Sequence, residues 1–339
     1  MIKIEKNISL QKFNTFGIDV RALNYVEIYD EEDIKKILLL DEFKNEPKLI
    51  LGGGSNILFT KDFNGLVIRI LIPGIQVIFE DEKTSFIKAG AGVIWNDLVL
   101  FALEKNMGGI ENLISIPGTV GAAPVQNIGA YGEELQNTLH SLKGIYMDTG
   151  EERLFEKEEC RFEYRNSIFK NELKEKFIIT YVIIQLNKNP QPVFNYGTVK
   201  NELEKHHKEN YSIKEVSDII AEIRREKLPD PAVVGNAGSF FKNPEIDKNL
   251  FLELKKEHPE MPGFTTPHDK VKIPAGWLIE KCGWKGKRLG NAGVHNNQAL
   301  VLVNYGNTNG SDILSLAYEI KISVLKSFGI ELTEEVNIY

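Results

Sequence analysis

Ser239 stands in the run Asn236-Ala237-Gly238-Ser239-Phe240-Phe241. A nucleophilic serine on a strand-to-helix elbow needs Gly-x-Ser-x-Gly; Ala237 and Phe241 occupy the two glycine places, which excludes that hydrolase arrangement. On the residues alone Ser239 is then a serine in a glycine turn. Arg165, preceded by Tyr164 in a polar segment, reads as a surface ion-pair partner. Glu335, beside Glu334, reads as a solvated edge charge. Arg224, Arg225 and Lys227 fall in the last turns of an expected helix, where they compensate its dipole.

Two glycine runs offer different chemistry. Gly52-Gly53-Gly54-Ser55-Asn56 and Gly90-Ala91-Gly92 each follow an expected strand, and such turns let backbone N–H groups converge on phosphate. Neither is a Walker A loop, since GKS or GKT is missing. Neither is a Rossmann fingerprint: about ten residues separate the first run from the next strand, too few for a helix of several turns, and Trp95 takes the third glycine position after the second. Spacing alone leaves a tight turn and a phosphate cradle both open.

The elements that must position these groups follow from periodicity. Asp30 caps a helix through Leu40, with Ile34, Ile37 and Leu38 on one face. Lys48 to Leu51, Leu66 to Ile68, Phe86 to Ala89 and Phe177 to Leu186 read as strands. Trp95, Leu98, Val99, Ala102 and Leu103 mark a helix. From Gly108 to Gly132 the chain is rich in Gly, Pro, Ala and Asn; a loop that long is usually functional. Ser212 and Glu215 form a capping box for a helix whose apolar face is Val216, Ile219, Ile220 and Ile223 and which ends at Pro229. A glycine-rich block precedes a strand over 299–304, a helix from Ser311 to Phe328 that stops at Gly329, and a last strand over 330–339.

At 339 residues the chain has room for two or three domains. Its net charge of −7 makes it a poor general nucleic-acid binder, because phosphate contacts need basic surface. Cys160 and Cys282 form neither a disulfide framework nor a CxxC site. The six histidines lie outside any HExxH pattern, so no metal is expected. The N-terminal stretch has no apolar h-region, and the richest apolar stretch, over 66–79, is broken by Arg69 and Pro73. A cytoplasmic protein without membrane spans is expected.

An ordered series of motifs carries a resemblance across essentially the whole chain. Asn14-Thr15-Phe16, the two glycine runs, Ile116-Pro117-Gly118-Thr119-Val120-Gly121-Ala122 and Gln126-Asn127-Ile128-Gly129-Ala130-Tyr131-Gly132 come first. Tyr164-Arg165-Asn166-Ser167-Ile168-Phe169-Lys170, Lys227-Leu228-Pro229-Asp230-Pro231 and the 235–244 run from Gly235 to Pro244 follow. Gln298-Ala299-Leu300-Val301-Leu302 and Leu332-Thr333-Glu334-Glu335-Val336 complete it. The chain resembles the UDP-N-acetylenolpyruvoylglucosamine reductase family.

The resemblance implies an α+β protein: a vanillyl-alcohol-oxidase-type FAD-binding fold in two subdomains, 1–75 and 76–205, plus an α/β substrate-binding domain over 206–339 whose C-terminal strand returns to the active site. It implies NADPH-dependent reduction of an enolpyruvyl UDP-sugar by a monomer. FAD contacts are expected from Gly52, Gly53, Gly54, Ser55, Asn56, Gly90, Gly92, Pro117, Gly118, Gly121, Ala122, Asn127, Gly129 and Ala130. Related oxidases tether FAD through a histidine near these loops; no histidine precedes His140, so non-covalent FAD is expected. Arg165, Ser239 and Glu335 are the expected catalytic residues: carboxylate partner, proton donor and polarising carboxyl. Tyr164, Tyr196, Arg224, Lys227, Asn243 and Gln298 are expected substrate contacts, Tyr196 lying in a loop found in one subtype. Where relatives often carry a basic residue two places after the glutamate, this chain has Asn337. Alternatives are an FAD oxidase or dehydrogenase of the same superfamily, and a nucleotide-sugar binding protein that has lost catalysis.

Overall fold

A computed structural model describes residues 2–192, 194, 197–205, 210–266 and 269–339. Tyr196 lies outside the described residues. The chain divides into two compact units, one of residues 1–8, 22–54 and 63–225, the other of residues 9–21, 55–62 and 226–339. Both expected FAD subdomains, 1–75 and 76–205, fall largely in the first unit, and the last segment of the second unit begins within the helix Ile213–Lys227.

Two larger sheets lie in the first unit among the described residues. In one, the strands Arg21–Ile28 and Lys48–Leu51 both pair in parallel with Phe63–Ile70, which lies between them. The helix Glu31–Leu38 supplies the crossover that parallel neighbours require. Asp30 caps it, accepting from Asp33 N at 2.8 Å. The other sheet has five antiparallel strands in the order Glu152–Glu156, Leu139–Tyr146, Phe177–Asn187, Thr84–Gly90, Ile75–Glu80. Burial explains the long central strand: Phe177, Ile178, Ile179, Val182, Ile184 and Leu186 are all buried. Ile34 and Ile37 of the helix share one core with Val26, Ile68, Ile145 and Ile178, so helix and both sheets interlock. Lys143, half-buried, pairs with Glu31 at 2.9 Å and Glu152 at 2.6 Å, and Thr180 hydrogen-bonds Glu31.

A second core in this unit collects Trp95, Leu98, Val99 and Ala102 of the helix Trp95–Glu104, the apolar residues of the 110–128 stretch, and Val216, Ile220 and Ile223 of the helix Ile213–Lys227. The capping box forms as expected, with Ser212 N donating to Glu215 Oε2 at 2.8 Å and Glu215 N to Ser212 Oγ at 3.2 Å. The 108–132 stretch is a packed loop with short 3-10 turns; Trp95 Nε1 donates to Leu113 O at 3.0 Å and so fixes it from the helix side. Cys160 is buried, which pushes its thiol up to about 12.

The second unit is built on an antiparallel sheet in the order Gly235–Ser239, Val301–Asn304, Ala292–Val294, Arg288–Leu289. The helix Gly310–Phe328 packs on it, capped by Asn309 and ended by Gly329 at φ 65°. The expected strand over 330–339 is a correction: only Asn337–Ile338 is strand, paired in parallel with Ile57–Leu58. The 330–336 stretch meets the Ser239–Phe241 region through single bonds and one bridge, Phe241 with Glu334, in place of a ladder.

Candidate active site

In the first unit three loops meet. Trp95 N donates to Gly118 O at 3.0 Å, Val120 N to Val93 O at 2.9 Å and Gly121 N to Ala91 O at 2.9 Å, which zips the 90–95 turn to the 117–122 segment. Gly52 and Gly53 then approach the same segment from the end of Lys48–Leu51. A Cβ on Gly52 would sit 2.6 Å from Thr119 Oγ1, and one on Gly53 3.1 Å from Gly118 Cα. Only a residue without a side chain allows this approach at Gly52 and Gly53. The N–H groups of Gly90 and Gly92 are taken by Gly74 O and Ile72 O, both at 2.9 Å, so these two glycines shape the turn and donate nothing outward.

The 123–134 stretch continues this edge. Gly129–Ala130 and Glu133–Glu134 form a tight hairpin whose two turn residues, Tyr131 and Gly132, both have positive φ, as a two-residue turn between strands demands. Asn127, fully buried, donates through Nδ2 to Glu134 Oε2 at 2.7 Å and Glu163 O at 3.2 Å, and accepts from Gln136 N at 3.0 Å. Both amide hydrogens of Asn127 are spent inside the protein, so the side chain holds the loop.

Arg165 reaches this hairpin, donating from Nη2 to Gly129 O at 2.8 Å, and its guanidinium lies 5.4 Å from the Tyr164 ring centroid. Arg224 donates from Nη2 to Ser115 O at 3.3 Å. Burial lowers the Arg224 pKa, Arg165 nearby lowers it further, and the Tyr131 hydroxyl opposes both. Two guanidinium groups brought close by the same loop repel unless an anion joins them. Sequence reasoning listed both arginines without pairing them.

In the second unit the motif Asn14-Thr15-Phe16 finds its purpose. Asn236 N donates to Thr15 O at 3.0 Å and Asn304 Nδ2 to Phe16 O at 2.8 Å, so the segment pins the start of the strand that carries Ser239. Asn236 Oδ1 accepts from Gly238 N at 3.0 Å, which holds Gly238 at φ 69° directly before Ser239. Ser239 pairs with Val301 on one side, and Glu335 N donates to the adjacent Phe240 O at 2.8 Å on the other. Ser239 and Glu335 therefore lie on adjoining segments of one unit. Glu334 is engaged by Lys321 at 2.8 Å, leaving Glu335 as the glutamate not used by that pair. Asn337 donates through Nδ2 to Asn56 O at 3.0 Å, so the residue in the usual basic place ties down the end of the glycine run.

The remaining expected contacts are distributed as follows. Lys227 is exposed at the end of its helix. Asn243 accepts from Ala275 N at 2.9 Å and so caps the helix Ala275–Lys281. Gln298 accepts from Leu300 N at 3.3 Å. Asn14 and Asn236 are the residues to which the sequence assigned no role; each is a buried asparagine, and burial is the missing signal.

Family models match both parts of the chain: an FAD binding domain over residues 22–154 and the UDP-N-acetylenolpyruvoylglucosamine reductase C-terminal domain over residues 230–339. The UDP-N-acetylenolpyruvoylglucosamine reductase of Flavobacterium johnsoniae is 48% identical over 338 residues, 99% of this chain and 100% of that relative. The chain belongs to the UDP-N-acetylenolpyruvoylglucosamine reductase family. The reductase of Pseudomonas syringae pv. syringae is 44% identical over 338 residues, covering 100% of this chain and 99% of the relative. The crystal structure of the UDP-N-acetylenolpyruvylglucosamine reductase from Thermus caldophilus aligns over the full length of both chains at a TM-score of 0.68 and 23% identity, which makes the fold common to both.

With the FAD binding domain match, the expected α+β fold of the vanillyl-alcohol-oxidase type stands. The close packing of Gly52 and Gly53 on the 118–122 segment leaves no room for side chains there, as a glycine loop shaped for the diphosphate of FAD requires. No helix among the described residues is long and apolar enough to cross a membrane.

Proposed function

We infer that the chain catalyses the NADPH-dependent reduction of UDP-N-acetyl-3-O-(1-carboxyvinyl)-glucosamine to UDP-N-acetylmuramate, a step in making peptidoglycan precursors. The observation that carries this reading is the 48% identity across the whole chain to a reductase of that name. FAD, held without a covalent bond at the 52–56 and 117–123 loops, supplies hydride transfer from NADPH to the enolpyruvyl CH2 carbon.

The chain's own residues do the rest. Arg165 takes the substrate carboxylate in its guanidinium fork, with Tyr164 beside it. Glu335 polarises the enolpyruvyl group as charge builds on that carboxylate. Ser239 Oγ gives its proton to the adjacent carbon. Lys227 and Tyr196 hold the diphosphate and Asn243 the uridine, with Arg224 and Gln298 as second contacts. Burial lowers the pKa of Arg224, with Arg165 nearby lowering it further. Within this reading the protein acts as a cytoplasmic monomer, with no nucleic acid as partner.

The test is direct. Purified protein should be yellow, release its flavin on denaturation, and oxidise NADPH rapidly only when the enolpyruvyl UDP-sugar is added. Colourless protein, or NADPH oxidation indifferent to that substrate, overturns the assignment.

A further inference from the structure

We propose that Ser167 and Asn127 are positioning residues that aim Arg165, by lacing the turn that carries it to the 123–130 segment. The proposal rests on the reading of Arg165 as the partner of the substrate carboxylate. The turn itself is small. Glu163 N donates to Asn166 O at 3.2 Å and Asn166 N to Glu163 O at 3.1 Å, with Tyr164 and Arg165 at the tip. Arg165 has φ 53°, a left-handed conformation uncommon for a residue with a side chain. Such a conformation persists only where the surroundings impose it.

Three hydrogen bonds impose it. Ser167 Oγ donates to Val125 O at 2.7 Å, Asn127 Nδ2 donates to Glu163 O at 3.2 Å, and Arg165 Nη2 donates to Gly129 O at 2.8 Å. Val125, Asn127 and Gly129 are alternate residues of one segment; Glu163, Arg165 and Ser167 are alternate residues of the other. Ser167 is 1% exposed and Asn127 fully buried, so water competes for neither bond. Both side chains are engaged inside the protein: Ser167 Oγ also accepts from Phe169 N at 3.2 Å, and Asn127 also serves Glu134 and Gln136. Each thus acts through the arginine.

Loss of the Ser167 hydroxyl releases one side of the turn and leaves Val125 O and Phe169 N without that partner. Ser167→Ala should therefore lower kcat/KM for the enolpyruvyl UDP-sugar by about ten- to a hundredfold, the scale of a misplacement near 1 Å. Flavin content and the rate at which NADPH bleaches the flavin should change less than about twofold, because neither uses Arg165. Ser167→Thr keeps the hydroxyl and should stay within about threefold of wild type. The deciding comparison is a double-mutant cycle. In an Arg165→Ala background, Ser167→Ala should cost less than about twofold more, since nothing remains to be aimed. Asn127→Gly, which keeps the left-handed backbone at φ 44° and removes the tie, gives a second variant should Ser167→Ala fold poorly, read by its double-mutant cycle with Arg165→Ala alone because Asn127 is also an expected FAD contact. Equal loss in NADPH oxidation and substrate reduction, or full additivity with Arg165→Ala, overturns the proposal. Wild-type protein whose flavin is bleached by NADPH yet never reduces the UDP-sugar overturns instead the reaction on which it rests.

Discussion

In the first unit Gly52 and Gly53 pack bare backbone against the 118–122 segment, whereas in the second unit Ser239 and Glu335 lie on adjoining extended segments and offer side chains. The first surface is defined by what is missing, the second by what is attached. Replacing a glycine in the cradle changes the shape that receives a ligand; replacing Ser239 changes only the chemistry available once the ligand is there. The two regions should therefore fail in different assays.

The largest separation is expected for Ser239→Ala. Reoxidation of the flavin by the enolpyruvyl UDP-sugar should slow by about 10²–10⁴-fold, the usual cost of a lost general acid, while bleaching by NADPH runs at nearly the normal rate. Stopped-flow absorbance of each half-reaction reads this, and a reoxidation rate close to wild type would remove the proton-donor role. Gly52→Ala should fail the other way. Its Cβ would lie 2.6 Å from Thr119 Oγ1, so FAD affinity should fall by at least about tenfold, or about 1.4 kcal/mol, measured by flavin fluorescence on titration. Full flavin content in this variant would show that the cradle does not hold the cofactor.

Two smaller effects sharpen the contrast within each unit. Glu334→Gln breaks the half-buried pair with Lys321 and should cost about 1 kcal/mol or less in urea unfolding, with turnover unchanged. A large loss of turnover would mean that Glu334, not Glu335, faces the substrate. In the first unit Glu152 is held down at about 2 by Lys143 and Lys35. Its folded pKa lies below the ordinary glutamate value of 4.5, so this stabilisation is complete above pH 4.5 and is lost as pH falls toward 2. Glu152→Gln should thus be less stable than wild type at pH 7, and the gap should close on acidification. A gap that stays constant down to pH 2 would count against the pairing.

Much of this arrangement was legible in the residues. The caps at Asp30 and Ser212, the central strand from Phe177 and the glycine runs follow from local chemistry, which the tertiary fold leaves intact. The strand Leu139–Tyr146 was not singled out because His140, Lys143 and Gly144 interrupt its apolar pattern, and it is defined by pairing on both edges. The helix Ala275–Lys281 was hidden in a glycine-rich block and depends on Asn243, over thirty residues away in sequence, for its cap. The 330–336 stretch carries strand-like residues but finds only isolated partners, so its extended reading was half right. At the candidate site, glycine spacing announced a cradle without revealing which loops would meet. Arg165 and Arg224 stand nearly sixty residues apart, so nothing local could pair them.

The parallel pairing of Asn337–Ile338 with Ile57–Leu58 has a consequence for the order of synthesis. Asn56 O and Thr60 find their partners in residues about 280 positions later, at separations of 281 and 279. A ribosome delivers the first of these minutes or seconds before the last, depending on its pace, and the stretch 55–62 must wait in that interval with its ladder groups unmatched. The first unit, complete by residue 225, can consolidate meanwhile. Nascent chains stalled before residue 337 should accordingly protect the first unit from protease while 55–62 remains cleavable, which makes the closing of the second unit the final act of translation-coupled folding.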